Sequence, residues 1–115
     1  MTRDVDNPVE VYLREVAAVP LLTPVAETEL IARIKKGDLD AETAKKKLLE
    51  AHLHEVVSIA REYTQDSPRL LDLILEGNIG LMRAADDLDH LRDVTFSAHA
   101  ARYIRQAIAD APPTN

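Results

Sequence analysis

The sequence predicts an all-α fold, a compact bundle of about five helices, and three observations support this. Apolar residues recur at helical spacing along most of the 115 residues. Residues that start and end helices divide the chain into five segments. No run of strand length alternates apolar and polar residues, and no hairpin dipeptide such as Asn-Gly is present. We expect residues 1–115 to form one helical domain, because this length suits a single modest core.

The first two helices are predicted from their caps. Asn7 can cap the first helix, with Pro8 at the first helical position and Glu10 three residues after the cap. The stretch "VPLLTP" then breaks the chain. Thr23 and a following proline open the second helix, and Gly37 ends it after two lysines, as helix C-termini prefer.

The third and fourth helices are longer. Asp38 or Asp40 is predicted to cap the third. Its apolar stripe consists of Ala44, Leu48, Leu49, Val56, Ala60 and Tyr63. Ser67 and Pro68 start the fourth helix, which is predicted to reach about Leu88.

The fourth helix has two apolar faces when it is placed on a wheel of about 100° per residue. The wider face is predicted to enter the core and consists of Leu70, Leu73, Ile74, Gly77, Leu81, Ala84, Ala85 and Leu88. A separate patch consists of Leu71, Leu75, Ile79 and Met82, bordered by Asp72, Glu76, Arg83 and Asn78. This patch predicts either a helix buried on both sides or a surface for a cationic helical partner. Close packing of this helix against its neighbours explains Gly77 and Gly80 at least as well as partner binding does.

The fifth helix is predicted to start at Thr95 or Ser97 and to end before Pro112 and Pro113. The side chains expected to face inward are Phe96, Ala100, Tyr103, Ile104, Ala107 and Ile108. Those on the other sides are His99, Arg102, Arg105 and Gln106, with few acids nearby in the sequence. Arg and Gln on an exposed helix can bond phosphates and base edges, although a merely solvated face is the alternative.

Composition excludes several classes of function. The chain has no Cys and a formal charge of −6, so it lacks thiolate metal sites and the basic surplus of indiscriminate nucleic-acid binders. The charge is uneven: residues 66–93 carry seven acids against three Arg, whereas residues 94–115 have a net charge of +1. No apolar leader or membrane-length segment is present, so we expect a cytoplasmic protein. No catalytic constellation, metal site or cofactor motif is predicted.

Four long segments resemble one family. "NPVEVYLREVAAVPLLT", "EAHLHEVVSIAREYT", "LLDLILEGNIGLMRAADDLD" and "TFSAHAARYIRQAIAD" occur in the order and spacing of primary-type bacterial sigma-70 factors. The resemblance covers residues 7–110, with about 7–37 similar to region 1.2, about 38–110 similar to region 2, and 111–115 left as a tail. It implies that the fourth helix binds the clamp helices of the RNA polymerase β′ subunit. It also implies that the fifth helix engages the promoter −10 element.

The resemblance implies two sets of contact residues. The polymerase-binding set consists of Asp72, Leu75, Glu76, Asn78, Ile79 and Met82. The DNA-binding set consists of Phe96, His99, Arg102, Tyr103, Arg105 and Gln106. No membrane partner is implied.

The chain also departs from the family pattern. Leu75 stands where the family usually has Gln, and His99, Arg102 and Tyr103 stand where it usually has Tyr, Trp and Trp. Stacking of an unpaired base on an aromatic ring contributes about 1–3 kcal/mol, so −10 binding is expected to be weak or lost. Three hypotheses follow: an initiation-factor domain, a degenerate domain that binds core polymerase without melting promoters, or a generic helical interaction module.

Overall fold

The computed structural model describes residues 7–91 and 94–113, and within them the chain is helical, with no β-strand. The helices are α1 (Pro8–Ala18), α2 (Pro24–Lys36), α3 (Ala41–Arg61), α4 (Ser67–Asp86) and α5 (Phe96–Ala109), with a 3-10 turn at Leu88–His90. Outside this description lie residues 1–6, residues 92 and 93 of the acidic segment, and residues 114–115 of the predicted tail. The all-α prediction is confirmed.

Local capping explains where the helices begin. The side chains of Asn7, Thr23, Asp66 and Thr95 each accept a hydrogen bond from an amide N–H two or three residues further on, at 2.9–3.1 Å. Gly37 ends α2 in the left-handed conformation, with φ of 70°. The cap of α4 is Asp66, one residue before the predicted start of that helix. Thr95 rather than Ser97 caps α5.

The third helix differs from the prediction at both ends. Asp40 occupies the N-cap position without a capping side-chain bond, whereas the Asp38 side chain accepts from the Asp40 amide at 3.0 Å. Tyr63 was expected on the apolar stripe, but α3 ends at Arg61 and Tyr63 is exposed. That expectation is wrong because the helical period no longer sets the direction of a side chain beyond the helix end.

The core lies where α3, α4 and α5 pack against one another, with α2 on α3 and α1 beside α3 and α4. The whole predicted core face of α4 is buried. On α5 the five predicted apolar residues other than Tyr103 are buried, and Tyr103 is half-buried. The largest fully buried side chains are Phe96, Leu48, Ile74, Leu81, Ile104 and Val56, so aliphatic residues supply most of the core.

The two glycines of α4 permit this packing. A Cβ atom at Gly80 would lie 2.9 Å from the carbonyl carbon of Tyr103 and closer still to its oxygen. A Cβ atom at Gly77 would lie 2.7 Å from a methyl group of Val56. Both positions therefore need glycine for close helix approach, and at Gly80 the obstacle is the backbone of α5 itself.

Candidate interaction surfaces

The outward face of α4 carries three uncovered apolar side chains, Leu75, Ile79 and Met82, which we call the apolar strip. They are 55%, 44% and 51% exposed, so this chain's own side chains do not seal them. Leu71, the fourth member of the predicted patch, is half-buried and packs against the core. A contiguous apolar strip on a helix is typical of a surface that a partner covers.

The rim of the apolar strip carries the acids Asp72 and Glu76 and the exposed Arg83. Asp72 is exposed and Glu76 is half-buried, and both lie on the side of the strip that faces the end of α5. There, Arg69 donates a hydrogen bond to the Pro112 carbonyl at 2.8 Å. This bond holds the segment after α5 beside the start of α4. The result is a groove lined by Arg69, Asp72, Leu75, Glu76, Ala111, Pro112 and Pro113.

Asn78 does not lie on the open surface as the other predicted polymerase contacts do. It is half-buried, and its Nδ2 donates to the Tyr12 hydroxyl of α1 at 3.3 Å. Its Oδ1 is buried and has no hydrogen-bond partner among the residues that the structure describes. In this structure Asn78 therefore joins α4 to α1.

Two members of the predicted DNA-binding set lie in the core. Phe96 is 1% exposed and His99 is 2% exposed, so neither ring offers a face to an unpaired base. The helical period had already placed Phe96 inward. His99 was expected on an outer side, and that expectation is wrong. Its Nε2 lies 3.0 Å from the Ala84 carbonyl, and its ring packs against those of Phe96 and Tyr103.

The remaining members of the DNA-binding set are accessible, but most are bonded to acids. Arg105 Nη1 and Nη2 donate to the two carboxylate oxygens of Glu62 at 2.7 and 3.3 Å. Gln106 Nε2 donates to Asp110 at 3.0 Å. The Tyr103 hydroxyl donates to Asp87. Few acids lie near these residues in the sequence, but the fold brings Glu62 and Asp87 to α5 from elsewhere in the chain.

These bonds also affect the ionisation of the acids. The hydrogen bond from Arg105 holds the pKa of Glu62 below its ordinary value. The hydrogen bonds from Tyr103 and His90 do the same to the pKa of Asp87. Both carboxylates are therefore anionic at neutral pH. Arg102 is exposed and makes no ion pair within residues 7–91 and 94–113.

A buried polar cluster around His52 was missed from the sequence. His52 Nδ1 lies 2.5 Å from Glu55 and Nε2 lies 2.6 Å from Glu27, while the Ser97 hydroxyl donates to Glu55 at 2.7 Å. Burial by itself lowers the pKa of His52, but the hydrogen bonds and charges of Glu55 and Glu27 outweigh burial and raise it. The cluster ties α2, α3 and α5 together. The i, i+3 spacing of His52 and Glu55 was the one signal visible in the sequence.

The fold and its uncovered α4 face define a small helical interaction domain. Its sequence matches the family described as Sigma-70 region 2 over residues 48–111 and Sigma-70 factor, region 1.2 over residues 7–40. The chain therefore belongs to the sigma-70 family. Sigma factors are transcription initiation factors and not enzymes.

Relatives from several bacteria resemble the chain over most of its length. It is 48% identical over 107 residues to RNA polymerase sigma factor SigA of Clostridium acetobutylicum, which covers 93% of this chain and 28% of the relative. It is 47% identical over the same length to the SigA proteins of Lactococcus lactis subsp. lactis and of a Bacillus species. The chain thus spans little more than a quarter of the length of these curated relatives.

Among the described residues, no helix combines the length and the apolar character needed to cross a bilayer.

Proposed function

We propose that this chain is the part of a sigma-70 family transcription initiation factor that binds core RNA polymerase through the β′ clamp helices. The observation that carries the proposal is the apolar strip, Leu75, Ile79 and Met82, left uncovered on α4. Hiding three half-exposed apolar side chains from water favours a partner that supplies an apolar surface of its own. Asp72 and Glu76 on the rim favour a partner that also carries Arg or Lys.

We further propose that α5 of the bound domain engages −10 promoter DNA. The exposed Arg102, Arg105 and Gln106 support this part, since these side chains bond phosphates and base edges. The burial of Phe96 and His99 leaves Tyr103 as the aromatic ring nearest the surface of α5. Contact with single-stranded DNA is therefore expected to be weak.

The burial of Phe96 and His99 favours a second candidate function, in which the domain occupies the clamp helices without opening promoters. Such a domain would modulate or compete with other sigma factors. The two functions share the apolar strip and differ only in whether a ternary complex with −10 DNA forms.

Binding of this chain to core polymerase and to an isolated clamp-helix fragment tests the shared step. About half of the Leu75 and Ile79 side chains is exposed and available to a partner. The double variant Leu75→Ser/Ile79→Ser removes this apolar contact area, so we expect an affinity loss of about thirtyfold or more. Val25→Ser is the matched control, because Val25 is 69% exposed on α2, away from the apolar strip. The control is expected to bind like the parent chain.

Asp72→Asn tests the acidic rim, with Glu29→Gln on α2 as its control. We expect Asp72→Asn to weaken binding about threefold at low salt and less at high salt, whereas the loss in the apolar-strip variant persists at both.

A fork-junction probe with a −10 element then separates the candidates. A ternary complex at low salt supports the initiation-factor domain, and a polymerase complex without DNA supports the competitor. Failure to bind polymerase at all would leave a generic helical interaction module.

A further inference from the structure

Three of the four accessible polar side chains of α5 considered for DNA binding are bonded to carboxylates of this chain, and Arg102 is the exception. Glu62 holds Arg105 through two hydrogen bonds, Asp87 accepts from Tyr103, and Asp110 accepts from Gln106. The first two partners are separated from their α5 residues by 43 and 16 positions in the sequence. Tertiary packing therefore places these acids beside α5.

The arrangement around Arg105 uses the same geometry that DNA would need. A guanidinium group presents parallel N–H donors that fit two oxygens of a carboxylate, two oxygens of a phosphate, or the O6 and N7 atoms of guanine. With Glu62 in place, the donors Nη1 and Nη2 of Arg105 are already used. A nucleic-acid acceptor must displace the Glu62 carboxylate, and a nearby anion also repels the DNA backbone.

We propose that Glu62 limits the DNA affinity of α5 by competing with DNA for Arg105, and that Asp87 and Asp110 act in the same way on Tyr103 and Gln106. The inference rests on the proposed function, because it requires that α5 faces promoter DNA. In this view the acidic partners, together with the loss of aromatic rings, determine how weakly the domain engages DNA.

The size of the effect follows from the exposure of the pair. The Arg105 and Glu62 side chains are 47% and 53% exposed, and an ion pair that is open to water is a weak competitor. Releasing Arg105 is expected to raise DNA affinity about two- to fivefold. Removal of so exposed a carboxylate leaves the core untouched, so the variants are expected to fold.

The experiment measures the binding of a fluorescein-labelled single-stranded −10 oligonucleotide by anisotropy. It is done with the free chain and with its complex with core polymerase, at two salt concentrations. Glu62→Gln removes the competing charge and keeps the shape of the side chain. Glu29→Gln, on α2, removes the same charge elsewhere and controls for the change in net charge. We expect the two- to fivefold gain for Glu62→Gln and a gain below about 1.3-fold for Glu29→Gln.

A double-mutant cycle tests whether Glu62 affects DNA binding through Arg105. Adding Arg105→Gln is expected to abolish the gain caused by Glu62→Gln, since Glu62 acts through Arg105. Asp87→Asn and Asp110→Asn are each expected to give gains no larger than that of Glu62→Gln.

Three results contradict the inference: equal gains for Glu62→Gln and Glu29→Gln, a gain that survives Arg105→Gln, or no DNA binding by any variant. The polymerase complex is measured separately. If the polymerase complex forms but these DNA effects are absent, the inference is overturned and the polymerase proposal stands. If the complex does not form but the free chain still shows the gain from Glu62→Gln, the polymerase proposal is overturned and the competition between Glu62 and DNA stands.

Discussion

The outward side of α4 carries an uncovered apolar strip, whereas most of the polar outward side chains of α5 are bonded to carboxylates of the same chain. The two helices are neighbours and share the core, with Gly80 of α4 against the backbone of α5. Of these two helices, α4 therefore presents a surface that can bind a partner without breaking bonds within the chain. A partner of α5 must first displace groups that already satisfy its side chains.

The difference also concerns aromatic rings. The rings of Phe96, His99 and Tyr103 form a contiguous series that continues to His52, with centroids 4.9–5.9 Å apart. Two of the three α5 rings are therefore used to fill the core rather than to meet bases. The proposed polymerase surface on α4 is therefore preformed, whereas the proposed DNA surface on α5 is largely engaged within the chain.

Disrupting the close packing of α4 against α5 is expected to have the largest effect on stability. Gly80→Ala places a methyl group against the Tyr103 carbonyl, so the helices must separate, and we expect a loss of about 3 kcal/mol of unfolding free energy. Gly77→Ala is the comparison variant. Its added methyl group meets a side-chain methyl of Val56 rather than backbone atoms, and its loss of unfolding free energy is expected to be smaller. Urea unfolding measures both, and equal losses would contradict the role given to the backbone contact.

The His52 cluster anchors α5 through Ser97, and its loss is expected to cost about 2 kcal/mol at pH 6. The pKa of His52 is raised, so its contribution is complete below about 6.5 and declines as the pH rises through the folded-state pKa. The pKa of Glu55 is lowered, so its contribution is present above about 4.5 and is lost as the pH falls through its folded-state pKa.

Thermal unfolding of His52→Gln from pH 5 to 9 tests this dependence. The difference from the parent chain is expected to be largest from pH 5 to about pH 6 and to shrink towards pH 9. Ser58→Ala, at an exposed position on the same helix without a titratable side chain, is the control and should lack this trend. A difference that is constant with pH would mean that His52 acts by packing alone.

Placing aromatic residues on α5 compares the effect of a ring on DNA binding at a buried position with its effect at an exposed position. His99→Tyr enlarges a side chain in a filled core and removes the bond to the Ala84 carbonyl, so we expect about 1–2 kcal/mol of destabilisation and no gain in DNA binding. Arg102→Trp adds a ring at an exposed position and is expected to raise single-strand affinity about fivefold or more. Unfolding curves and oligonucleotide anisotropy distinguish the two, and a gain in affinity from His99→Tyr would show that α5 opens to admit DNA.

The smallest effect is expected at the Asp87–Tyr103 bond. The hydrogen bond to Asp87 raises the pKa of the Tyr103 phenol, so Asp87→Asn should bring this pKa back towards about 10. Phenolate absorbance is followed during an alkaline titration of the parent chain and of Asp87→Asn, and the difference between the two curves isolates Tyr103 from Tyr12 and Tyr63. Asp110→Asn removes a charge at the end of the same helix and serves as the control, since it does not contact the phenol. An unchanged Tyr103 titration in Asp87→Asn would mean that this bond does not restrain the α5 face.

Much of the fold could be predicted from the sequence because helices depend on neighbours within about four residues. Asn7 and Thr23 were recognised as caps, and Gly37 as a terminator, from their local chemistry, while Thr95 was one of two candidates for the start of α5. The apolar strip could also be predicted, because the angular separation of two apolar faces is a property of one helix. Its contact with polymerase and the DNA role of α5 stay predictions.

The polar partners could be settled only by tertiary structure. Glu62 lies 43 residues from Arg105, Glu27 lies 25 from His52, and no periodicity relates positions so far apart. The burial of His99 was likewise decided by packing, because α5 lies close enough to α4 for the imidazole to reach the Ala84 carbonyl. The sequence determined which residues form helices and which faces are apolar. The tertiary structure alone decided which charged groups far apart in the sequence meet, because such contacts depend on how the helices are arranged in space.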